Sequence, residues 1–267
     1  MSIKKLSKLA KDPKFISGIY DYCDRWCERC ILSARCLLFE GMKIDENNPA
    51  LNDISNKAFW DHLHSIFQET IEMINEMAKK EGIDPNSLSS KSVPDENHQR
   101  HIEAQNNELA QIALQYSKIT TKWFESNNPQ FEEKSAKLKT RHDIGINKTD
   151  IHKEAFDINE AVEVINWYKS QIYVKLMRAL DKEDLNNESD SILQKDSDGS
   201  AKAALIAIDR SISSWGKLRE YFLEETDRIL DILLLLSRLR NKTEETFPNA
   251  RNFIRPGFDI LETINFD

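Results

Sequence analysis

Seven glycines and seven prolines are all that this chain of 267 residues has for making tight turns. A sheet-rich fold of that length needs a turn every few residues, and so many short connections cannot be built from so few turn-formers. Long helices need few connections, and their solvated faces absorb charge. Charged residues make up 31% of the chain. Both observations predict an all-α protein of about four long helices in an antiparallel bundle. A chain of this length is large enough to bury a sizeable core.

The hydrophobic periodicity places the elements. Asp12-Pro13 is a helix start, with Asp as cap and Pro in the first turn. Ile16, Tyr20, Cys23, Cys27 and Cys30 recur at four-three spacing, which predicts one face of a helix from Asp12 to about Cys30. A second short helix is expected over Ser33–Phe39. The next runs from Asn56 to Glu81 with Phe59, Leu63, Ile66, Ile71, Ile74 and Met77 as its apolar side, and Gly82 as its stop. Residues 83–95 read as a polar linker. His98, Ile102, Gln105, Leu109, Ile112, Tyr116, Ile119 and Trp123 form the longest stripe, predicted to end at Asn127-Asn128-Pro129. A loop around Gly145 follows. A helix over Asp157–Asp181 faces inward through Ile158, Val162, Ile165, Ile172 and Leu176. Residues 182–199 read as an acidic loop. A last helix over Ser200–Glu245 is long enough to bend near Gly216 or Thr226. The tail, with Phe247, Phe253, Ile254, Phe258 and Ile260, is broken by prolines and expected to drape over the bundle. The domain expectation is an N-terminal cysteine segment, 1–45, and a helical bundle with its tail, 46–267, together one compact domain.

All four cysteines lie within 14 residues, as C-x3-C-x2-C-x5-C at Cys23, Cys27, Cys30 and Cys36. Random placement would cluster them this tightly about once in two thousand chains, so a shared purpose is expected. No secretory leader is evident at the basic N-terminus, so the expected location is a reducing cytoplasm, where such cysteines bind metal rather than pair as disulfides. On a helix, Cys23, Cys27 and Cys30 fall within an arc of about 60° while Cys36 points away, so the helix must break between Cys30 and Cys36 for the four to converge. The alternative reading is that these are small core residues that extend the Ile16–Tyr20 stripe. It leaves Cys36 unexplained.

Tetrahedral thiolate sets suit zinc and the irons of a cluster. The stretch Cys27-Glu28-Arg29-Cys30-Ile31-Leu32-Ser33-Ala34-Arg35-Cys36 resembles the end of the iron–sulfur loop of endonuclease III-type DNA glycosylases. That loop is C-x6-C-x2-C-x5-C, and its last two spacings match here. The first is three residues instead of six, which sets Cys23 apart from the pattern. The resemblance implies a [4Fe–4S] cluster on these four cysteines, with zinc as the alternative. It covers about 14 residues and implies no glycosylase activity. Cys23, Cys27 and Cys30 also resemble the triad of radical-SAM enzymes, but no α/β pattern follows and a fourth cysteine is at hand. Arg25, Arg29 and Arg35 interleave with the cysteines, either to offset cluster charge or as ordinary solvated charges beside Asp24 and Glu28. Trp26 either shields the site or anchors the segment.

Other chemistry is thinly represented. A di-iron bundle site typically needs Glu-x-x-His pairs, and only Asp61-x-x-His64 and Asp95-x-x-His98 come near. A second metal site would draw on His64, His98 and His101, with His62, Glu69, Glu72 or Glu103 beside them, and would require the histidines to face inward. Asp196-Ser197-Asp198-Gly199 matches the start of a calcium loop without its later ligands, and a helix cap is the simpler reading. The net charge of −8 leaves no basic footprint for nucleic acid, and the longest apolar run, Ile229–Leu236, is too short to span a bilayer. The reading is therefore a metal-binding helical protein with an accessory, regulatory or redox-sensing role and another protein as partner. The alternatives are an iron–sulfur oxidoreductase and a zinc-stapled interaction module.

Overall fold

The computed structural model describes residues 8–46, 49–84, 93–145, 148–181 and 195–259. The parts of the expected linkers and tail at 47–48, 85–92, 182–194 and 260–267 lie outside the described residues. Those described are mostly helical, with no strand among them, so the all-α expectation holds. The helices are α1 Leu37–Glu46, α2 Pro49–Asn52, α3 Lys57–Lys80, α4 Val93–Asn106, α5 Glu108–Asp143, α6 Lys148–Leu180, α7 Asp196–Tyr221 and α8 Thr226–Thr246. The chain divides into two units, one within Met1–His98 and Arg255–Asp267, the other Gln99–Ile254. The boundary falls inside α4, at His98.

The second unit is a four-helix bundle. Each of α5 to α8 packs on its neighbour in sequence, and α8 closes back onto α5. The α6–α7 seam is the tightest, and its composition explains why. Ala201, Ala204, Ala207 and Ser211 are fully or almost fully buried on α7, and small side chains let the two backbones approach. Opposite them α6 supplies Ile165, Tyr168, Ile172 and Leu176, all fully buried. Phe247 and Phe253 of the tail are buried in the same unit, which agrees with a tail draped on the bundle.

The helix boundaries depart from the periodicity in several places, among them the start of α6 at Lys148 instead of Asp157. The long stripe is not one helix. Asn107 interrupts it, adopts an extended backbone and caps α5 by accepting the Leu109 N–H at 2.9 Å. At the other end α5 runs through Pro129 to Asp143. Proline forfeits one backbone hydrogen bond, but contacts on both sides of it hold the helix. Phe131 packs 4.6 Å from Phe222 and 5.9 Å from Trp123, and Trp123 stands edge-on 4.9 Å from Trp215. The final helix breaks at Phe222–Glu225, next to the expected Thr226, so it divides into α7 and α8. Asp196-Ser197-Asp198-Gly199 is the first turn of α7, so the calcium-loop reading falls.

One buried carboxylate ties these breaks together. Glu225, 6% exposed, accepts hydrogen bonds from Trp123 Nε1 (3.1 Å), Asn127 Nδ2 (3.3 Å) and Gln130 Nε2 (3.3 Å), and pairs with Arg228 at 3.3 Å. The donors flank Pro129, so the acid bridges the weak point of α5 to the start of α8.

In the first unit, α3 forms as expected. Asn56 caps it through Ala58 N–H at 2.9 Å, and Gly82 ends it with φ +71°. The expected inward face is not inward, because α3 has no buried residue. Of that face Phe59, Leu63 and Ile66 are half-buried, whereas Ile71, Ile74 and Met77 are between 51% and 58% exposed. No helix among the described residues is long and apolar enough to cross a membrane.

Glu225→Ala should lower the stability of the second unit by about 2 kcal/mol, because it leaves the buried Trp123 and Asn127 donors without this acceptor. Urea unfolding followed by tryptophan fluorescence checks this. A loss below about 1 kcal/mol would mean that Glu225 does not hold the α5–α8 junction.

Candidate metal centre

The cysteine segment is not the predicted helix. Asp12 does start a turn, with its carboxylate accepting Lys14 N–H at 2.9 Å, but the turn does not propagate. Gly18 at φ +72° and Arg25 at φ +59° lie in the left-handed region, which an α-helix cannot accommodate. Glycine adopts it freely. Arginine pays strain for it, which marks Arg25 as a place where the surroundings dictate the backbone. Beyond Arg25 the chain makes two single turns of 3-10 helix, Cys27–Arg29 and Ser33–Arg35, and then enters α1. The break expected between Cys30 and Cys36 is present, with Cys30 itself extended.

This irregular path does what a helix could not. Cys23, Cys27, Cys30 and Cys36 all line one cavity of about 20 Å³. Each is half-buried and none is in a disulfide. Asp24 accepts the Trp26 N–H at 3.2 Å, and Cys27 N–H donates to Arg25 O at 3.0 Å, which folds the Cys23–Cys27 link back on itself. Backbone bonds Cys30 N–H to Cys27 O (3.2 Å) and Cys36 N–H to Ser33 O (3.2 Å) shape the later turns. The loop is closed by Ile16 N–H to Arg35 O at 3.0 Å and Arg35 Nε to Lys14 O at 3.3 Å. Arg35 is thus a structural clasp as well as a charge. Arg29 stacks over Trp26, 4.1 Å from the ring centre.

Periodicity missed a wall of the cavity that comes from the far end of the chain. Phe258 lines it, together with Ile19, Tyr20 and Phe39. Gly257, at φ +76°, lets this strap lie close, since a Cβ there would meet Ile16 Cδ1 at 2.8 Å. Arg255 holds the strap by binding the Asp259 carboxylate through Nε (3.1 Å) and Nη2 (3.0 Å). The Pro256-Gly257 pair was the available signal, but nothing local says which surface such a turn meets.

The remaining candidates are not drawn together. His64 and His98 are exposed. His101 is half-exposed, with Nδ1 3.3 Å from Asp181 and Nε2 3.0 Å from Gln105 Nε2. The inward-facing histidines that a bundle redox site requires are therefore not found. Among the described residues no three His, Cys, Asp or Glu side chains form a ready coordination sphere. The four sulfurs share a cavity without being gathered into a tetrahedron. No known protein family, curated protein or solved structure matches the chain.

The donor set fits a soft or borderline cation, and the cavity is about the size of one water-sized guest. The thiols themselves resist ionisation. Burial pushes Cys27 up, and the charges of Cys23, Cys36, Glu28 and Cys30 add to it. Burial also pushes Cys30 up, opposed by a backbone hydrogen bond at Leu32 and reinforced by Cys23, Asp24 and Cys36. A cation in the cavity removes that repulsion, whereas without one the protonated forms are favoured.

A raised thiol pKa means less thiolate at neutral pH. In metal-free protein Cys27 and Cys30 should therefore react with iodoacetamide more slowly than free cysteine at pH 8, with rates still climbing beyond the ordinary thiol range of about 8.5. Peptide mass spectrometry over a pH series checks this, and faster alkylation than free cysteine would contradict it.

Proposed function

We propose that the first unit is a metal-stapled module in an accessory or regulatory protein, with Cys23, Cys27, Cys30 and Cys36 as the metal ligands. One observation carries the reading. Among the described residues of this unit Ile19 alone is buried, at 2% exposure. Burying one isoleucine contributes about 2 kcal/mol, which the entropy of ordering a couple of backbone residues offsets. Chains that lack a core are held by disulfides or metals. This one has no disulfide among the described cysteines but four thiols on one cavity. A bound cation would supply the missing cohesion and tie residues 23–36 together.

Either a single zinc ion or a four-iron cluster fits the donor set, and both require the four sulfurs to rearrange, since they line the cavity without forming a tetrahedron. The cluster reading draws its support from the matching cysteine spacings. A reducing compartment such as the cytoplasm suits either centre. The exposed apolar side of α3 supports a protein partner, because faces of this kind mark interaction sites. No step of chemistry is assigned to the bundle.

Metal and sulfide content, measured with the visible spectrum on protein purified without oxygen, tests the reading against a Cys27→Ser variant. Metal in the parent protein, lost in the variant, is the expected result, and one zinc per chain in a colourless protein would assign a single ion. About four irons with sulfide and broad absorbance near 400 nm would assign a cluster. No metal in either protein would overturn the proposal.

A further inference from the structure

A groove in the second unit has the size and lining of a small-molecule site. It lies between α5 and α8 and encloses about 490 Å³, within the usual range for ligand pockets. Its apolar lining is Ile119 and Trp123 from α5 and Ile232 and Leu235 from α8. Lys122 and Arg228 stand on the two walls, one from each helix. Trp123 and Ile232 are buried, at 4% and 2% exposure, so these parts of the lining are fixed rather than mobile surface.

The polar groups are preset by the Glu225 network. The Trp123 indole N–H is committed to Glu225, which presents the ring and not its donor to the groove. Three neutral donors already satisfy much of the Glu225 carboxylate. Arg228 touches that carboxylate with Nη1 only, and its side chain remains 67% exposed. Lys122 makes no ion pair among the described residues. Asp231 is the one acid in the lining and stands against two cations.

We propose that this groove binds a small organic anion, with an apolar body on Trp123, Ile119, Ile232 and Leu235 and a carboxylate or phosphate head held by Lys122 and Arg228. The chemistry is complementary in both parts. The apolar lining desolvates the body, and two cations on separate helices fix the head. The inference is independent of the cysteine centre and stands whatever metal that centre holds.

The test uses three probes of one shape: 1-naphthoate, 1-naphthyl phosphate and the uncharged 1-naphthalenemethanol. The indole N–H signals of Trp123 and Trp60 are followed by NMR on the full-length protein. Trp60 lies on the exposed face of α3 and reports non-specific apolar binding. The expected result is saturable movement of the Trp123 signal with the anions. Binding should weaken about tenfold for the alcohol, and about tenfold in Lys122→Gln. Lys122 is exposed and lacks an ion pair among the described residues, so this variant should keep the parent melting temperature. Tighter binding of naphthyl phosphate assigns a phosphate head, and tighter binding of naphthoate a carboxylate. An unmoved Trp123 signal, movement of Trp60 alone, or equal affinity for all three probes and for Lys122→Gln would overturn the proposal.

Discussion

The described residues of the first unit form no continuous hydrophobic core, and the reading of the whole protein depends on that lack. Ile19 is the one buried side chain among its described residues. Its longest helix, α3, has no buried residue and leaves the later half of its apolar side in solvent. Residues 12–36 are held by isolated backbone bonds, two tight 3-10 turns and the Arg35 clasp. Bonds of this kind are worth about 1 kcal/mol each when water competes for them. An irregular segment so thinly packed needs a further source of cohesion. In the proposed reading, a cation held by the four cysteines that line one cavity supplies it. Arg25 in a left-handed conformation and Gly257 beneath Phe258 are the local strains and accommodations through which the chain reaches that cavity.

The second unit shows the contrast. Its core is continuous, with Trp215, Tyr116, Tyr168, Ile165 and Ile172 fully buried, and it needs no staple. Its weak points are the proline inside α5 and the break between α7 and α8. Both are met by one buried acid, Glu225, and by the aromatic cluster around Trp123. The same acid turns Trp123 toward the α5–α8 groove and leaves Arg228 partly free. Structural support and a ligand-ready surface thus come from one network.

Much of the bundle was legible because its signals are local. Ile165, Ile172 and Leu176 lie where a 3.6-residue period puts them, and Asn56, Gly82 and Gly145 act at helix ends through their own backbone preferences. The failures have non-local causes. Pro129 reads as a stop, and only Phe222 and Glu225, about a hundred residues away, explain why the helix continues. The stripe Ile16–Tyr20–Cys23–Cys27–Cys30 reads as a helix face, yet Gly18 and Arg25 turn the backbone left-handed so that Cys36 can join the others. Spacing revealed that the cysteines belong together. It did not reveal how, nor that Phe258 would close one wall. The histidines illustrate the opposite error, because a few favourable spacings at His64 and His98 correspond to exposed residues.

The most direct test of the central claim is amide hydrogen exchange across the full-length protein, before and after a strong chelator. A metal-stapled first unit predicts protection at Cys27, Cys30, Arg35 and Cys36 in the protein as isolated and its loss on chelation. The α5–α8 bundle should exchange slowly and unchanged in both samples. Equal protection of the cysteine segment with and without chelator would show that packing and backbone bonds alone hold it, and would contradict the account.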